Sequence, residues 1–138
     1  MTNKDEIAEF MRIEFPQFKC TIEAVGNNSA IVIRNIGIDE LRPGGTVSGT
    51  VMMGVADEAL YVAIFGKIGI VPLAVTTNLS INFLRKPPSS NFIKGVCKLL
   101  KVGKSLVVGE VFLYSEGLEE SIAHAVGTYS IPPNTKIE

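Results

Sequence analysis

The chain has 138 residues, of which 46% are hydrophobic and 20% are charged, so it can bury a core of its own and is not expected to be disordered. Its 13 basic and 14 acidic residues are scattered and leave a formal net charge of -1, which argues against a nucleic-acid partner. We therefore expect a single globular domain over residues 1–138.

The first residues and the cysteines indicate the compartment. Asp5 and Glu6 stand where an export signal would carry an apolar run. Cys20 and Cys97 belong to no CxxC pair and no Cys/His cluster, so no metal site is expected. We predict two buried free thiols in a reducing, cytoplasmic protein.

Two elements are predicted before residue 40. Asn3 or Thr2 can cap a short helix, which Pro16 stops and whose apolar face is formed by Ile7, Phe10 and Met11. Residues 18–36 alternate between apolar and polar, with a turn at Gly26-Asn27-Asn28. This pattern predicts a β-hairpin.

A long apolar segment follows at residues 49–65, with Ser48 as a plausible N-cap. It is apolar on nearly every side and must therefore be enclosed. Its only charged residues, Asp57 and Glu58, are adjacent and would be costly in lipid, so we expect a buried helix and no membrane span. Either acid could instead lie at the helix edge and meet solvent or Lys67, because helical spacing alone does not decide which of them points inward.

Gly66 and Gly69 should end this helix, and strand-like segments follow at residues 70–84, 91–101, 106–114 and 121–131. Turn signals separate them, so consecutive strands are expected to be antiparallel neighbours. One enclosed helix and six strands predict an α+β fold, in which an antiparallel sheet curls around the long central helix.

Residues 42–59 resemble the hotdog-fold thioesterases of the phenylacetic-acid-degradation type. The pattern of that family is an Asn, a Gly and then His-Gly-Gly at the start of the central helix, followed about two turns later by Ala-Asp or Leu-Asp. Gly45, Gly49 and Asp57 match this pattern. The resemblance implies a hotdog fold and hydrolysis of an acyl- or aryl-acyl-CoA thioester.

The same resemblance extends over most of the chain, through residues 76–85, 101–106 and 123–129. Three positions depart from the pattern: Arg42 replaces the Asn, Ser48 the His, and Thr50 the second Gly. Fewer side chains are then left to orient the thioester and the attacking water. A non-catalytic acyl-CoA or lipid binder of the same fold therefore stays open as an alternative, whereas a hydroxyacyl dehydratase would need a His beside an acid.

The catalytic carboxylate implied by the family is Asp57, which could activate water or attack the carbonyl carbon directly. A free N-H of Gly49 or Thr50 at the helix start could stabilise the oxyanion. Gly49 and Asp57 are eight residues apart, or about 12 Å along one helix at ~1.5 Å per residue. One helix cannot serve both roles at one carbonyl, so two subunits of a homodimer should share each site, in agreement with the family.

The resemblance adds Ser48 and Thr76 to the catalytic set, Thr76 because a Ser or Thr there faces the neighbouring subunit's site in the family. It also makes a dimer of dimers the expected assembly. Coenzyme A is part of the substrate, and no separate cofactor is expected. The residues expected to bind the substrate are Arg42, Tyr61, Phe83, Arg85, Lys86 and Lys104.

The remaining titratable candidates are weaker. The cations at 85, 86 and 104 could pair with the phosphates of coenzyme A, although solvated turn residues would have the same pattern. His124, the only histidine, lies in an alternating strand without a partner motif, which favours a structural or surface role. Gly95, Gly103 and Gly109 form no phosphate-binding motif.

Overall fold

The computed structural model describes residues 2–88 and 91–133. Within them lie two α-helices, six strands and one turn of 3-10 helix at Ile38–Glu40. In chain order the helices and strands are α1 (Lys4–Glu14), β1 (Thr21–Gly26), β2 (Ser29–Asn35), α2 (Gly49–Ile68), β3 (Val75–Phe83), β4 (Phe92–Val102), β5 (Leu106–Ser115) and β6 (Ala123–Ser130).

The short helix α1 begins with a complete capping box. Asn3 Oδ1 accepts from the Glu6 amide at 2.9 Å, and Glu6 Oε1 accepts from the Asn3 amide at 3.1 Å. Ile7 and Met11 are the buried residues of this helix. The predicted cap and apolar face are confirmed, and the helix ends at Glu14, just before Pro16.

All six strands form one antiparallel sheet in the order β1-β2-β4-β5-β6-β3. The prediction that consecutive strands pair is correct for β1 with β2, β4 with β5, and β5 with β6. It is wrong for β3 and β4. Because β2 and β5 occupy the two edges of β4, β3 pairs instead with the outer edge of β6.

The boundaries of two elements also differ from expectation. The strand predicted from residue 70 begins only at Val75, because the chain first turns at Pro72, where the Ala74 amide donates to the Val71 carbonyl at 3.0 Å. Helix α2 continues through Gly66, where a side chain would meet Val25 Cγ1 at 2.4 Å. It ends at Gly69, whose φ of 104° suits glycine.

Helix α2 lies against the sheet above three glycines, Gly95, Gly109 and Gly127, on the adjacent strands β4, β5 and β6. A Cβ atom at Gly109 would lie 2.6 Å from Leu60 Cδ2, and one at Gly127 would lie 2.5 Å from Leu60 Cδ1. Leu60 is 1% exposed and fills the hollow between these two glycines. The predicted sheet around a central helix, the hotdog fold, is confirmed, and these glycines permit its close packing.

Strand β3 is an edge strand with an irregularity between Thr76 and Asn78. Thr76 and Leu79 both face α2, although they are three residues apart. This requires the extra residue of a β-bulge. Large apolar side chains are exposed at both ends of this strand, with Leu73 72%, Val75 56% and Phe83 51% exposed.

The glycine hollow can be tested by the substitution Gly127→Ala. Leu60 cannot retreat from a new methyl group at 127 without approaching Gly109, so the free energy of unfolding should fall by about 1–3 kcal/mol. Gly54→Ala, in the middle of α2, is the matched control. Its Cβ would meet nothing nearer than Arg34 Nη1 at 3.9 Å, so it should stabilise the chain by up to ~1 kcal/mol. Urea unfolding measures both, and equal effects would contradict the packing described.

Candidate active site

The carboxylate of Asp57 is held through one of its two oxygens. Asp57 Oδ1 accepts hydrogen bonds from Thr76 Oγ1 and from the hydroxyl of Tyr129, each at 2.7 Å. The Tyr129 hydroxyl also lies 3.1 Å from the backbone carbonyl of Asp57. The other oxygen, Oδ2, receives no hydrogen bond from the described residues and is free to accept a proton.

Tyr129 is the functional residue that sequence reasoning missed. It is 3% exposed, and burial, followed by the nearby charge of Asp57, raises its pKa far above the usual range of a tyrosine. The phenol therefore stays protonated and serves as a permanent donor to the carboxylate. Its only signal in the sequence is its place as the aromatic residue that ends the motif at 123–129.

Asp57 opens into a cleft of about 420 Å³, here called the carboxylate cleft, whose lining includes Phe15, Gly54, Tyr61 and Thr76. Tyr61, one of the residues predicted to bind the substrate, lines this cleft. Thr76, which the resemblance places towards the neighbouring subunit's site, donates a hydrogen bond to Asp57 of its own chain.

Asp57 is half-buried, so its carboxylate lies within reach of water. Its neighbours Met53 and Leu60 do not line the cleft, because Met53 is 37% exposed and Leu60 fills the glycine hollow.

The adjacent acid, Glu58, has a structural role. Its Oε1 accepts from the amides of Cys20 at 3.0 Å and Lys19 at 3.2 Å, and its Oε2 lies 3.3 Å from the Lys19 amide. It therefore fixes the chain just before β1. Lys67 is not its partner, because Lys67 Nζ donates to Asn27 Oδ1 at 3.1 Å.

The start of α2 leaves the backbone amide of Gly49 available. Ser48 is the N-cap, and its Oγ accepts from the Thr50 amide at 3.2 Å and lies 2.6 Å from Thr50 Oγ1. The Gly49 amide has no acceptor among the described residues. Of the two predicted oxyanion donors, Gly49 is therefore the one whose N-H is available, while Ser48 and Thr50 satisfy each other.

The loop before α2 contains a tight turn that leads into the first residue of the helix. Leu41 and Val47 form an isolated antiparallel bridge, and the Arg42 amide donates to the Thr46 carbonyl at 2.7 Å. The turn between them needs glycine at two positions, because the φ angles of Gly44 and Gly45 are 94° and 80°. The loop glycine noted in the sequence is therefore a conformational requirement.

Around Gly49 lies a second cavity of about 370 Å³, here called the helix-start cavity. A Cβ atom at Gly49 would lie 3.3 Å from Cζ of Phe83, so a side chain here would press against this ring. The lining brings together four of the predicted substrate-binding residues, Arg42, Phe83, Arg85 and Lys86.

The cationic side chains predicted to bind the substrate differ in their contacts and positions. Arg85 Nη1 donates to the Ser121 carbonyl, and its Nη2 lies 3.8 Å from Glu120 Oε2. Lys86 is exposed at the cavity. Lys104 lies in the turn between β4 and β5, at the end of the sheet where Val107 pairs with Tyr129 and Tyr129 with Thr76. The predicted residues thus fall into two groups at opposite ends of β3.

Other polar groups lie away from both cavities. His124 Nε2 is 2.9 Å from Glu110 Oε1 on the face of the sheet that turns away from α2, in agreement with a surface role. Residues 2–88 and 91–133 contain no group of three His, Cys, Asp or Glu side chains that could hold a metal ion. In the same part of the chain, no helix is long and apolar enough to cross a membrane.

Both cysteines are free and buried, as predicted. Burial, and then the charge of Glu110, raises the pKa of Cys97 to about 12. Burial, and then the charge of Glu58, raises the pKa of the Cys20 thiol even further. Neither sulfur is a thiolate at neutral pH, so neither serves as the nucleophile.

The family model of the thioesterase superfamily matches residues 44–122. This match covers the end of the loop before α2, the whole of α2, and the strands β3, β4 and β5. The chain belongs to the thioesterase superfamily. No functionally curated protein matches it significantly.

Solved structures agree with this assignment. A protein of Silicibacter sp. TM1040, provisionally described as a thioesterase, is 40% identical with a TM-score of 0.89, and the match covers 96% of this chain and 94% of that one. The PaaI protein of the E. coli phenylacetic acid degradation operon is 17% identical, with a TM-score of 0.81 and coverages of 98% and 96%. Zebrafish thioesterase superfamily member 2 is 16% identical, with a TM-score of 0.82 and coverages of 96% and 100%. The last two likenesses concern the fold alone.

The cysteines give a direct test of burial. Because both pKa values are raised, the thiolate fraction at pH 8 is far below that of an exposed cysteine, and both side chains are largely buried. The native protein should therefore release no chromophore from a disulfide reagent at pH 8, whereas the protein in guanidinium should react at both Cys20 and Cys97. Rapid reaction of either thiol in the native state would contradict the packing around β1 or β4.

Proposed function

We propose that this protein hydrolyses the thioester of an acyl- or aryl-acyl-CoA to the free acid and coenzyme A. The observation that carries the proposal is the state of Asp57. Thr76 and Tyr129 fix one carboxylate oxygen and leave the other open to a cleft, in a chain of the thioesterase superfamily. Such a carboxylate is oriented for chemistry without being neutralised by a cation.

In the water-activated form of the reaction, Asp57 Oδ2 takes a proton from a water molecule while the oxygen of that water bonds to the thioester carbon. The Gly49 amide, aided by the helix dipole, stabilises the resulting oxyanion. The tetrahedral intermediate then expels the thiolate of coenzyme A, which takes the proton from Asp57. In the covalent form, Oδ2 attacks the carbon itself and expels the thiolate of coenzyme A, which leaves a mixed anhydride. Water then hydrolyses this anhydride to the free acid and the Asp57 carboxylate, and the proton released is taken up by the thiolate. The exposed oxygen serves either route.

The two reacting groups are supplied by different subunits of a homodimer. Strand β3 has nine residues, none of them charged, and such a long, uncharged edge strand favours pairing with a second copy. By contrast, β1 at the other edge has only six residues, including the charged Glu23. A two-fold axis near Leu79 and Ser80 would place Thr76 opposite Phe83 of the partner subunit.

This pairing unites the two groups of predicted residues. Thr76 contacts Asp57, and Phe83 lies over Gly49, so each carboxylate would face the partner's helix start. Lys104 would then approach the helix-start cavity that holds Arg42 and Lys86, which gives cations for the phosphates of coenzyme A. Further association into a dimer of dimers would leave these shared sites intact.

Coenzyme A enters as part of the substrate, and no separate cofactor is needed because the proton acceptor and the oxyanion donor both come from the chain. The buried free thiols of Cys20 and Cys97 suit a reducing compartment, so we place the reaction in the cytoplasm.

Asp57→Asn tests the carboxylate. Since the amide cannot accept the proton, hydrolysis of a panel of short, medium, long and aryl acyl-CoAs should fall about a hundredfold to ten-thousandfold, measured as thiol release. Glu58→Gln changes the adjacent acid in the same way. It should keep most of the activity but lower the free energy of unfolding by about 1 kcal/mol, because a neutral amide oxygen accepts from the Lys19 and Cys20 amides more weakly than a carboxylate does, and the NH2 group cannot accept at all.

Two outcomes would oppose this assignment. Hydrolysis that survives Asp57→Asn would remove Asp57 from the mechanism. If the wild-type protein binds acyl-CoA without hydrolysing any member of the panel, the protein is a non-catalytic binder, an alternative that the loss of the family's His at Ser48 favours.

A mixing experiment tests the shared site. Gly49→Val places a branched side chain between the free amide and the Phe83 ring, where even a Cβ would lie 3.3 Å from Cζ, and should therefore obstruct the amide. Asp57→Asn and Gly49→Val should each be inactive alone, but a mixed dimer contains one site with both groups intact. Random mixing makes half of all dimers mixed ones, and one of the two sites in each mixed dimer is intact. About a quarter of the wild-type activity should therefore return.

The controls for mixing are gel filtration and unfolding of each variant. Absence of recovery in a verified mixed dimer would contradict sharing between subunits. A monodisperse monomer that turns over substrate would contradict it as well.

A further inference from the structure

At one end of the carboxylate cleft, aromatic rings in mutual contact form a wall. The centroid of the Tyr61 ring lies 6.1 Å from that of Tyr129 and 5.7 Å from that of Phe15. The centroids of Phe15 and Phe18 are 5.9 Å apart. The Phe15 and Tyr61 rings meet edge to face, at 88°. A continuous wall thus runs from the buried donor to Asp57 as far as the N-terminal helix.

Phe15 is the member of this wall that borders three separate spaces. On one side is the carboxylate cleft of about 420 Å³. On another is a groove of about 400 Å³ between α1 and β1, here called the α1 groove, whose lining includes Met11, Phe18 and Ile22. The third space is a hollow of about 350 Å³ beside Phe10 and Pro72. The side chain of Phe15 therefore separates the carboxylate cleft from the α1 groove and from the hollow beside Phe10, and it is here called the partition.

The partition has a fixed frame. The Phe15 amide donates to the Met11 carbonyl at 3.0 Å, and the Phe15 carbonyl accepts from the Phe18 amide at 3.0 Å. Tyr61 is held by its hydroxyl, which donates to the Pro72 carbonyl at 3.1 Å. Because the backbone is tied on both sides, shortening the side chain at 15 should open the partition without moving the helix.

We infer that Phe15 is a specificity-determining residue that limits the length of the acyl group at Asp57. This inference rests on the proposed function and gives it a substrate class: acyl-CoAs whose acyl part ends within the carboxylate cleft. Removal of the ring would join the cleft to the α1 groove, whose apolar lining suits the tail of a longer alkyl chain.

The test compares Phe15→Ala with wild type on straight-chain acyl-CoAs from butanoyl to dodecanoyl. Burial of one methylene is worth about a fourfold gain, equivalent to ~0.8 kcal/mol, so two methylenes in the α1 groove suffice for a tenfold change. We expect the ratio of kcat/KM for decanoyl- over butanoyl-CoA to rise at least about tenfold. Phe15→Leu, a milder change, should shift the ratio in the same direction if Phe15→Ala folds poorly.

Phe18→Ala is the matched control, because it removes the same ring from the α1 groove while leaving the partition at 15 in place. Its chain-length ratio should stay near the wild-type value. Phe15→Trp should lower the ratio, since a larger ring shortens the cleft further. An unchanged ratio in both Phe15→Ala and Phe15→Leu, or an equal shift in Phe18→Ala, would overturn the inference.

A second readout separates this inference from the proposed function. Dissociation constants of non-hydrolysable acyl-CoA thioethers, measured by calorimetry, should show the same shift toward longer chains in Phe15→Ala. If wild type hydrolyses nothing but the shift in binding is present, the proposed function fails and the role of Phe15 stands. If hydrolysis is normal but neither readout shifts, the role of Phe15 fails alone.

Discussion

The close packing of α2 against the glycines of three neighbouring strands positions every part of the candidate site. Leu60 fills the hollow made by Gly109 and Gly127 and so fixes the rotation of the helix. Asp57 lies three residues earlier, on the adjacent side of the helix, and therefore faces the margin where β6 meets β3. A bulkier residue in the hollow would displace the carboxylate together with the helix.

Two adjacent acids on one helix illustrate how an enclosed carboxylate is compensated. Glu58 is satisfied by backbone amides of Lys19 and Cys20, and it holds the strand start in place. Among the residues that the structure describes, Asp57 receives hydrogen bonds on one oxygen only, from the hydroxyls of Thr76 and Tyr129. Because neither partner of Asp57 carries a positive charge, its orientation is fixed while its negative charge stays available for chemistry.

Patterns that depend on neighbouring residues could be predicted from the sequence, and contacts between distant residues could not. The cap at Asn3, the enclosed helix and the motif residues Gly49 and Asp57 all follow from local spacing. The pairing of β3 with β6 does not, because an alternating pattern indicates a strand without naming its partner. For the same reason Tyr129 was passed over, since its partner lies 72 residues away and nothing nearby signals the hydroxyl.

The bulge in β3 has a bearing on how related chains should be aligned. Thr77 is the residue without a register position of its own, since Thr76 pairs with Tyr129 and Asn78 with Thr128. In a homologue one residue shorter at this point, regular alternation would still place the residue before the Asn78 position on the α2 face, beside the carboxylate. A gap in an alignment therefore belongs at Thr77, because a gap at any other point would match the donor to Asp57 with a residue that faces away from the helix.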